Sequence, residues 1–190
     1  GFTFIQYAKI CENGNLIFAQ ANKIYYSSDN LTSVHASTVY AYDGSVYSPQ
    51  SLDNWHHTMG EQHYNFGGVE WVIWTCYSTT VAPNGCANGN MNMWLSKDGG
   101  VTIRSIFLQN STLVDGAPFA FRHFHGVYWI EEQNCWIALT GDSGNENAWL
   151  ISSGFDISDT VNTTWSLINK SDDWKCAGVW YFDGYLYSGS

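Results

Sequence analysis

Two histidines separated by one residue, His123-Phe124-His125, are the side chains of this sequence best suited to chemistry. Alternate residues of a β-strand project to one face, so His123 and His125 are expected to share a face while Arg122 and Phe124 take the other. An earlier phrase, Glu61-Gln62-His63-Tyr64, puts Glu61 and His63 in corresponding places. Imidazoles and a carboxylate gathered in this way could hydrogen-bond a ligand through Glu61, His63, His123 and His125. They could instead hold a divalent metal on His63, His123 and His125, or move protons as general acid and base. His123, His125, Arg122 and Tyr64 are also the types that abstract a proton beside a carboxylate and neutralise the acid. The competing reading is that these polar groups line a channel, bind water and tie neighbouring elements together. His56 and His57 are adjacent and face opposite ways on extended chain, and His35 belongs to a surface strand.

The elements that carry these residues read as strands. Short runs of Val, Ile, Trp, Tyr and Phe bounded by Gly, Asn, Asp and Ser recur, while no apolar stripe of helical period persists. Leu16 to Gln20, Val69 to Thr75, Met93 to Ser96, Cys135 to Leu139 and Trp149 to Ser153 are the clearest. Aligning His123 with Lys175 gives a period of roughly fifty residues, the size of a unit built from a four-stranded antiparallel meander. The expected fold is therefore all-β, a single domain of β-propeller blades with about three complete units and part of a fourth. Their approximate bounds are 1–48, 49–115, 116–170 and 171–190. The incomplete last unit predicts that further blades, or another subunit, pair with its open edge.

Ser96-Lys97-Asp98-Gly99-Gly100-Val101-Thr102 gives the repeat a more specific character. Asp98 is placed to accept hydrogen bonds from nearby amides, Ser96 and Thr102 flank it, and the glycines permit the positive φ of a tight hairpin. With the His-x-His-Gly-Val phrase at 123–127 and Thr140-Gly141-Asp142, this stretch resembles the Asp-box (BNR-repeat) propellers of the sialidase-like superfamily. Ile103 stands where that pattern has an aromatic residue. The resemblance runs best from Arg122 to Ser190 and more loosely back to the first strands. It implies that Ser96, Asp98, Gly100 and Thr102 are a structural turn, and that innermost strands present Glu61, His63, His123 and His125 to a central channel. It also implies a carbohydrate partner, recognised by an adhesion module that acts outside the cell, at a cell surface or on a virion surface. Two alternatives stay open: a polysaccharide lyase or glycoside hydrolase using the channel histidines, and a purely structural assembly module. The three-arginine clamp of sialidases cannot be built from Arg104 and Arg122 alone. Gly141-Asp142-Ser143-Gly144 resembles the nucleophile segment of serine proteases, but it lacks the following glycine and sits within a repeating unit.

Composition narrows the partners. Seven Lys and Arg against 17 Asp and Glu give a net charge of -10, which disfavours nucleic acid and anionic membranes. Aromatic residues make up 17% of the chain, including 10 Trp and 12 Tyr. Most are expected to fill the space between sheets, and the remainder could stack on sugar rings. No apolar run is long enough to span a membrane. Of the five cysteines, Cys76 and Cys86 flank a Gly-, Asn- and Thr-rich loop that a disulfide could staple in an oxidising compartment, and Cys135 reads as a buried apolar residue.

Overall fold

The computed structural model describes residues 7–20, 23–47, 62–75, 93–107, 113–114, 117–118, 121, 123–142, 146–153 and 164–189. Among them there is no α-helix, and the fold is all-β.

Strands β1 (Tyr7–Ile10), β2 (Leu16–Gln20), β3 (Lys23–Ser27) and β4 (His35–Ala36) form a first antiparallel meander. β5 (Thr38–Tyr40) leaves that meander and joins the next sheet, in the order β5-β9-β8-β7-β6. The others in this second sheet are β6 (Gln62–Phe66), β7 (Val69–Thr75), β8 (Met93–Ser96) and β9 (Thr102–Ser105). After the short hairpin of β10 (Leu113–Val114) and β11 (Ala117–Pro118), a third sheet runs in chain order. It comprises β12 (Phe124–Ile130), β13 (Cys135–Thr140), β14 (Ala148–Ser153) and β15 (Thr164–Lys170). β16 (Gly178–Phe182) and β17 (Tyr185–Gly189) pair as a fourth. None of the sheets closes on itself.

One pairing departs from a pure meander: β5 runs parallel to β9, with Val39 opposite Ile103. The exposed edge of β9 would otherwise present a row of unpaired amides and carbonyls, and a strand crossing from the preceding unit covers it. The second sheet thereby gains a fifth strand from the first unit's share of the chain.

Period-two alternation explains why the sheets stack. In β7, Trp71 and Ile73 enter a core shared with the third sheet, whereas Val72 and Trp74 enter a core shared with the first. β8 repeats this, with Met93 and Leu95 on one side and Trp94 on the other. In β13, Trp136 and Ala138 face the second sheet, while Cys135, Ile137 and Leu139 face Cys176 and Val179 of the fourth-sheet region. A sheet buried on both faces needs uninterrupted apolar strands, which is why these segments read as solid hydrophobic runs. Trp71, Trp74, Trp94 and Trp136 are fully buried within these layers. Truncating any one to Ala would cost roughly 3–5 kcal/mol.

Candidate functional site

The site is assembled by one hairpin and its irregularities. β12 and β13 pair with Phe124 opposite Thr140 and Gly126 opposite Leu139, so His125 is an extra residue in β12. A bulge of this kind bends the strand and re-aims a side chain. Its effect is visible on both sides: Phe124 and Val127, three residues apart, enter the same core. His125 turns instead toward the chain before β16, where its Nδ1 lies 2.8 Å from the Cys176 carbonyl oxygen. Gly126 leaves room for the Tyr128 ring, which a Cβ there would strike, and the Tyr128 hydroxyl donates to the Ala177 carbonyl at 3.3 Å. The third and fourth sheets are thus tied together beside the histidine.

The partner of the histidines comes from the far end of β13. The Gly141 amide donates to the His123 carbonyl at 3.0 Å, extending the hairpin by one bond. Gly141 has φ of +76°, and a Cβ at this position would run into the Glu146 backbone, so the turn requires glycine. The Thr140 hydroxyl donates to the Glu146 carbonyl at 2.7 Å and holds the same loop. Asp142 is thereby carried over the two imidazoles. Its Oδ1 lies 3.1 Å from Nε2 of His125 and 3.4 Å from Nε2 of His123. The two rings stack with centroids 5.2 Å apart. His123 and His125 are 3% and 5% exposed, whereas the Asp142 side chain is 41% exposed. Buried imidazoles therefore form the floor of a polar site whose carboxylate reaches water.

Sequence reasoning singled out both histidines but treated Asp142 only as part of a strand-end phrase. Counting outward from the turn at Glu131 to Asn134 in regular register brings Asp142 opposite His123, which was the available signal; the bulge moves the register by one, so that Gly141 bonds to His123. The bulge carried no comparable mark.

His63 lies in a different cluster, with Glu12 and Glu70. The Lys9 ammonium, which can only donate, lies 3.3 Å from His63 Nδ1. The Glu12 amide donates to Glu70 Oε2 at 2.6 Å, and the Asn65 amide donates to Glu12 Oε2 at 2.7 Å. These bonds tie the β1–β2 turn to the β6–β7 hairpin. The expected gathering of His63 with His123 and His125 is corrected accordingly: two neighbouring strands of different sheets direct their histidines to two separate clusters.

Tyr64 is also placed away from acid–base work. Its hydroxyl donates to the Trp129 carbonyl at 3.2 Å, and its ring meets Trp129 and Trp136 edge-on. Burial pushes its phenol above the ordinary value of 10.0, opposing the phenolate a lyase would need. Cys11, Cys135 and Cys176 are buried, and burial raises the Cys135 and Cys176 thiols. Exposed His35 stacks on Tyr26 at 5.3 Å. Glu61, Arg122, His56, His57, Cys76 and Cys86 lie outside the described residues.

The 96–102 turn adopts the bonding its residues allow. Asp98 accepts from the Thr102 amide at 2.9 Å and the Thr102 hydroxyl at 2.6 Å, while buried Ser96 accepts from the Gly100 amide at 2.9 Å. A second turn with the same spacing was missed. Asp29 accepts from the Ser33 amide at 2.8 Å and the Ser33 hydroxyl at 2.6 Å, and Ser27 accepts from the Leu31 amide at 2.9 Å. Its sequence signal was Ser27-x-Asp29-x-x-x-Ser33, obscured by the absence of glycine.

A further exposed surface lies on the fourth sheet. Trp180 pairs across the strands with Tyr187, and Phe182 with Tyr185, so all four rings occupy one face. They are 55%, 42%, 68% and 68% exposed in that order. The Trp180 and Tyr187 rings stack nearly parallel, 6.0 Å apart.

Comparison with family models, curated proteins and solved structures finds no match to this chain.

Proposed function

We propose that the protein is an Asp-box β-propeller that recognises carbohydrate at a surface outside the cell or on a virion. The fold part of this reading is supported by meanders stacked in chain order and by two Ser-x-Asp turns with one bonding scheme. One turn joins β3 to β4 and the other joins β8 to β9, each between the third and fourth strands of its meander.

Recognition rests on a single observation, the ladder of exposed rings Trp180, Tyr187, Phe182 and Tyr185 on one face of β16 and β17. Flat aromatic surfaces complement the apolar C–H faces of sugar rings at small entropic cost, because each ring has few rotatable bonds. A net charge of -10 directs the partner away from phosphate-rich polymers, which also stack on aromatic platforms.

Glycan-array binding of the whole chain tests the proposal. Wild type is expected to bind a restricted set of glycans, and Trp180→Ala and Tyr187→Ala to lose that binding while keeping the wild-type circular dichroism. A blank array for wild type, or full binding by both variants, would reject recognition on this face and favour a structural assembly role.

A further inference from the structure

We propose that His123, His125 and Asp142 form a binding site for a divalent transition metal of the zinc class. The Cys176 carbonyl fixes the tautomer of His125. A carbonyl only accepts, so at 2.8 Å the Nδ1 of His125 must carry the hydrogen. In a neutral imidazole the lone pair is then on Nε2, and it faces a carboxylate oxygen 3.1 Å away. Two acceptors opposed at that distance repel unless a cation lies between them or the ring takes a second proton.

The second histidine favours the cation. His123 Nε2 lies 3.4 Å from the same oxygen, and the two rings are stacked and almost fully buried. Satisfying Asp142 with protons from both rings would require His125 to be an imidazolium, since its Nδ1 hydrogen is already given to the Cys176 carbonyl, stacked on His123 in a dehydrated site where a charged ring is penalised. One divalent ion uses both lone pairs and the carboxylate with a single positive centre.

The spacing fits as well. Tetrahedral zinc, with ligand distances near 2.0–2.2 Å, sets its donor atoms about 3.3–3.6 Å apart, within a few tenths of an ångström of the separations here. The observed separations from Asp142 Oδ1 are 3.1 and 3.4 Å, and all three donors lie within 4.8 Å of one another. A ligating histidine usually donates its other nitrogen to a carbonyl or carboxylate, which fixes the tautomer, and the Cys176 carbonyl plays that part here. Two imidazoles and one carboxylate select zinc-class ions over calcium and magnesium, which require oxygen donors. Since Asp142 reaches solvent, remaining coordination positions would open outward to water or to an oxygen ligand.

The Glu12, His63 and Glu70 cluster serves as the internal control. Its imidazole already meets the Lys9 ammonium, and its carboxylates accept amide hydrogens from Glu12 and Asn65.

The test is calorimetric titration of the chelator-treated whole chain with zinc alone, and with calcium in parallel, at neutral pH. Expected is one zinc equivalent and no calcium. Affinity should fall by at least roughly tenfold in Asp142→Asn and in His125→Ala, and stay unchanged in His63→Ala. Asp142→Asn is decisive if His125→Ala does not fold, because residue 142 is half exposed and the change is isosteric. Substituted cobalt should give the intense visible bands of a low-coordinate site in wild type and lose them in Asp142→Asn. Failure of wild type to bind zinc, undiminished binding by Asp142→Asn, or loss of binding in His63→Ala would overturn the proposal. These outcomes are separate from the glycan array, which reads the Trp180 face.

Discussion

The turns at Ser27 to Ser33 and Ser96 to Thr102 share a bonding scheme and differ in the residues at its apex. In each, a buried serine and an exposed aspartate collect the amides and hydroxyl of the following residues, and two consecutive residues take positive φ. Those residues are Gly99 and Gly100 in one turn and Asn30 and Leu31 in the other, the last at φ of 67°. Left-handed backbone is unusual for Asn and costly for Leu. The serine–aspartate net therefore suffices to impose the turn without glycine. Glycine at 100 answers a different demand. A Cβ there would lie 2.7 Å from Ile17 Cγ1 and 3.0 Å from Tyr26 Cβ, because this turn presses against the first sheet. Leu31 is 48% exposed and meets no such restriction.

The largest expected effect tests that distinction. Gly100→Ala should destabilise the fold by about 3 kcal/mol, combining left-handed strain with a forced shift of the first sheet. Urea denaturation measures it, and a loss under about 1 kcal/mol would mean that the sheets separate easily at this point. Next come the aspartates. Asp98→Ala removes bonds to Thr102 and Ser96 that water replaces in part, for a cost of about 1–2 kcal/mol. Asp29→Ala should shift the denaturation midpoint further than Asp98→Ala does, since only the net holds Asn30 and Leu31 in place. Equal shifts would show that the glycines contribute no more to the turn than Asn and Leu do.

A smaller effect of opposite sign is expected from Leu31→Gly. Relief of the left-handed conformation, offset by the greater freedom of glycine in the unfolded chain, should stabilise by about 0.5 kcal/mol in the same assay. The smallest effect is protonic. Hydrogen bonds from the Ser33 hydroxyl and amide hold the Asp29 carboxyl below its ordinary value of 3.8. A depressed folded-state value means that the group stabilises the fold above the unfolded value, and that this contribution disappears as pH falls through the folded one. Carboxyl titration by NMR should show Asp29 low in wild type and returned toward 3.8 in Ser33→Ala. No difference between the two proteins would remove the Ser33 hydroxyl bond as the cause.

The same contrast between local and distant causes separates what was legible in the sequence from what was not. Leu16–Gln20, Val69–Thr75 and Met93–Ser96 are strands at the residues where their apolar runs begin and end, since a strand buried on one or both faces writes its burial into its own composition. The Ser96 turn was readable because its bonds join residues within a single heptapeptide. The equivalent Ser27 turn follows the same spacing, but the usual glycine signal is absent. The site was half readable: His123 and His125 declare themselves, and Asp142 could be counted into place from the hairpin turn.

What the sequence determined by itself is local: strand alternation, hairpin turns, a repeat of sheet-sized units and the chemical types available for a site. Tertiary structure decided the rest. It sent β5 across to pair with β9, put His125 in a bulge aimed at the Cys176 carbonyl, and divided the histidines between two clusters. The physical reason is range. Alternation and turn geometry depend on neighbours along the chain, whereas a bulge, a borrowed edge strand and a shared carboxylate depend on how one sheet packs against the next.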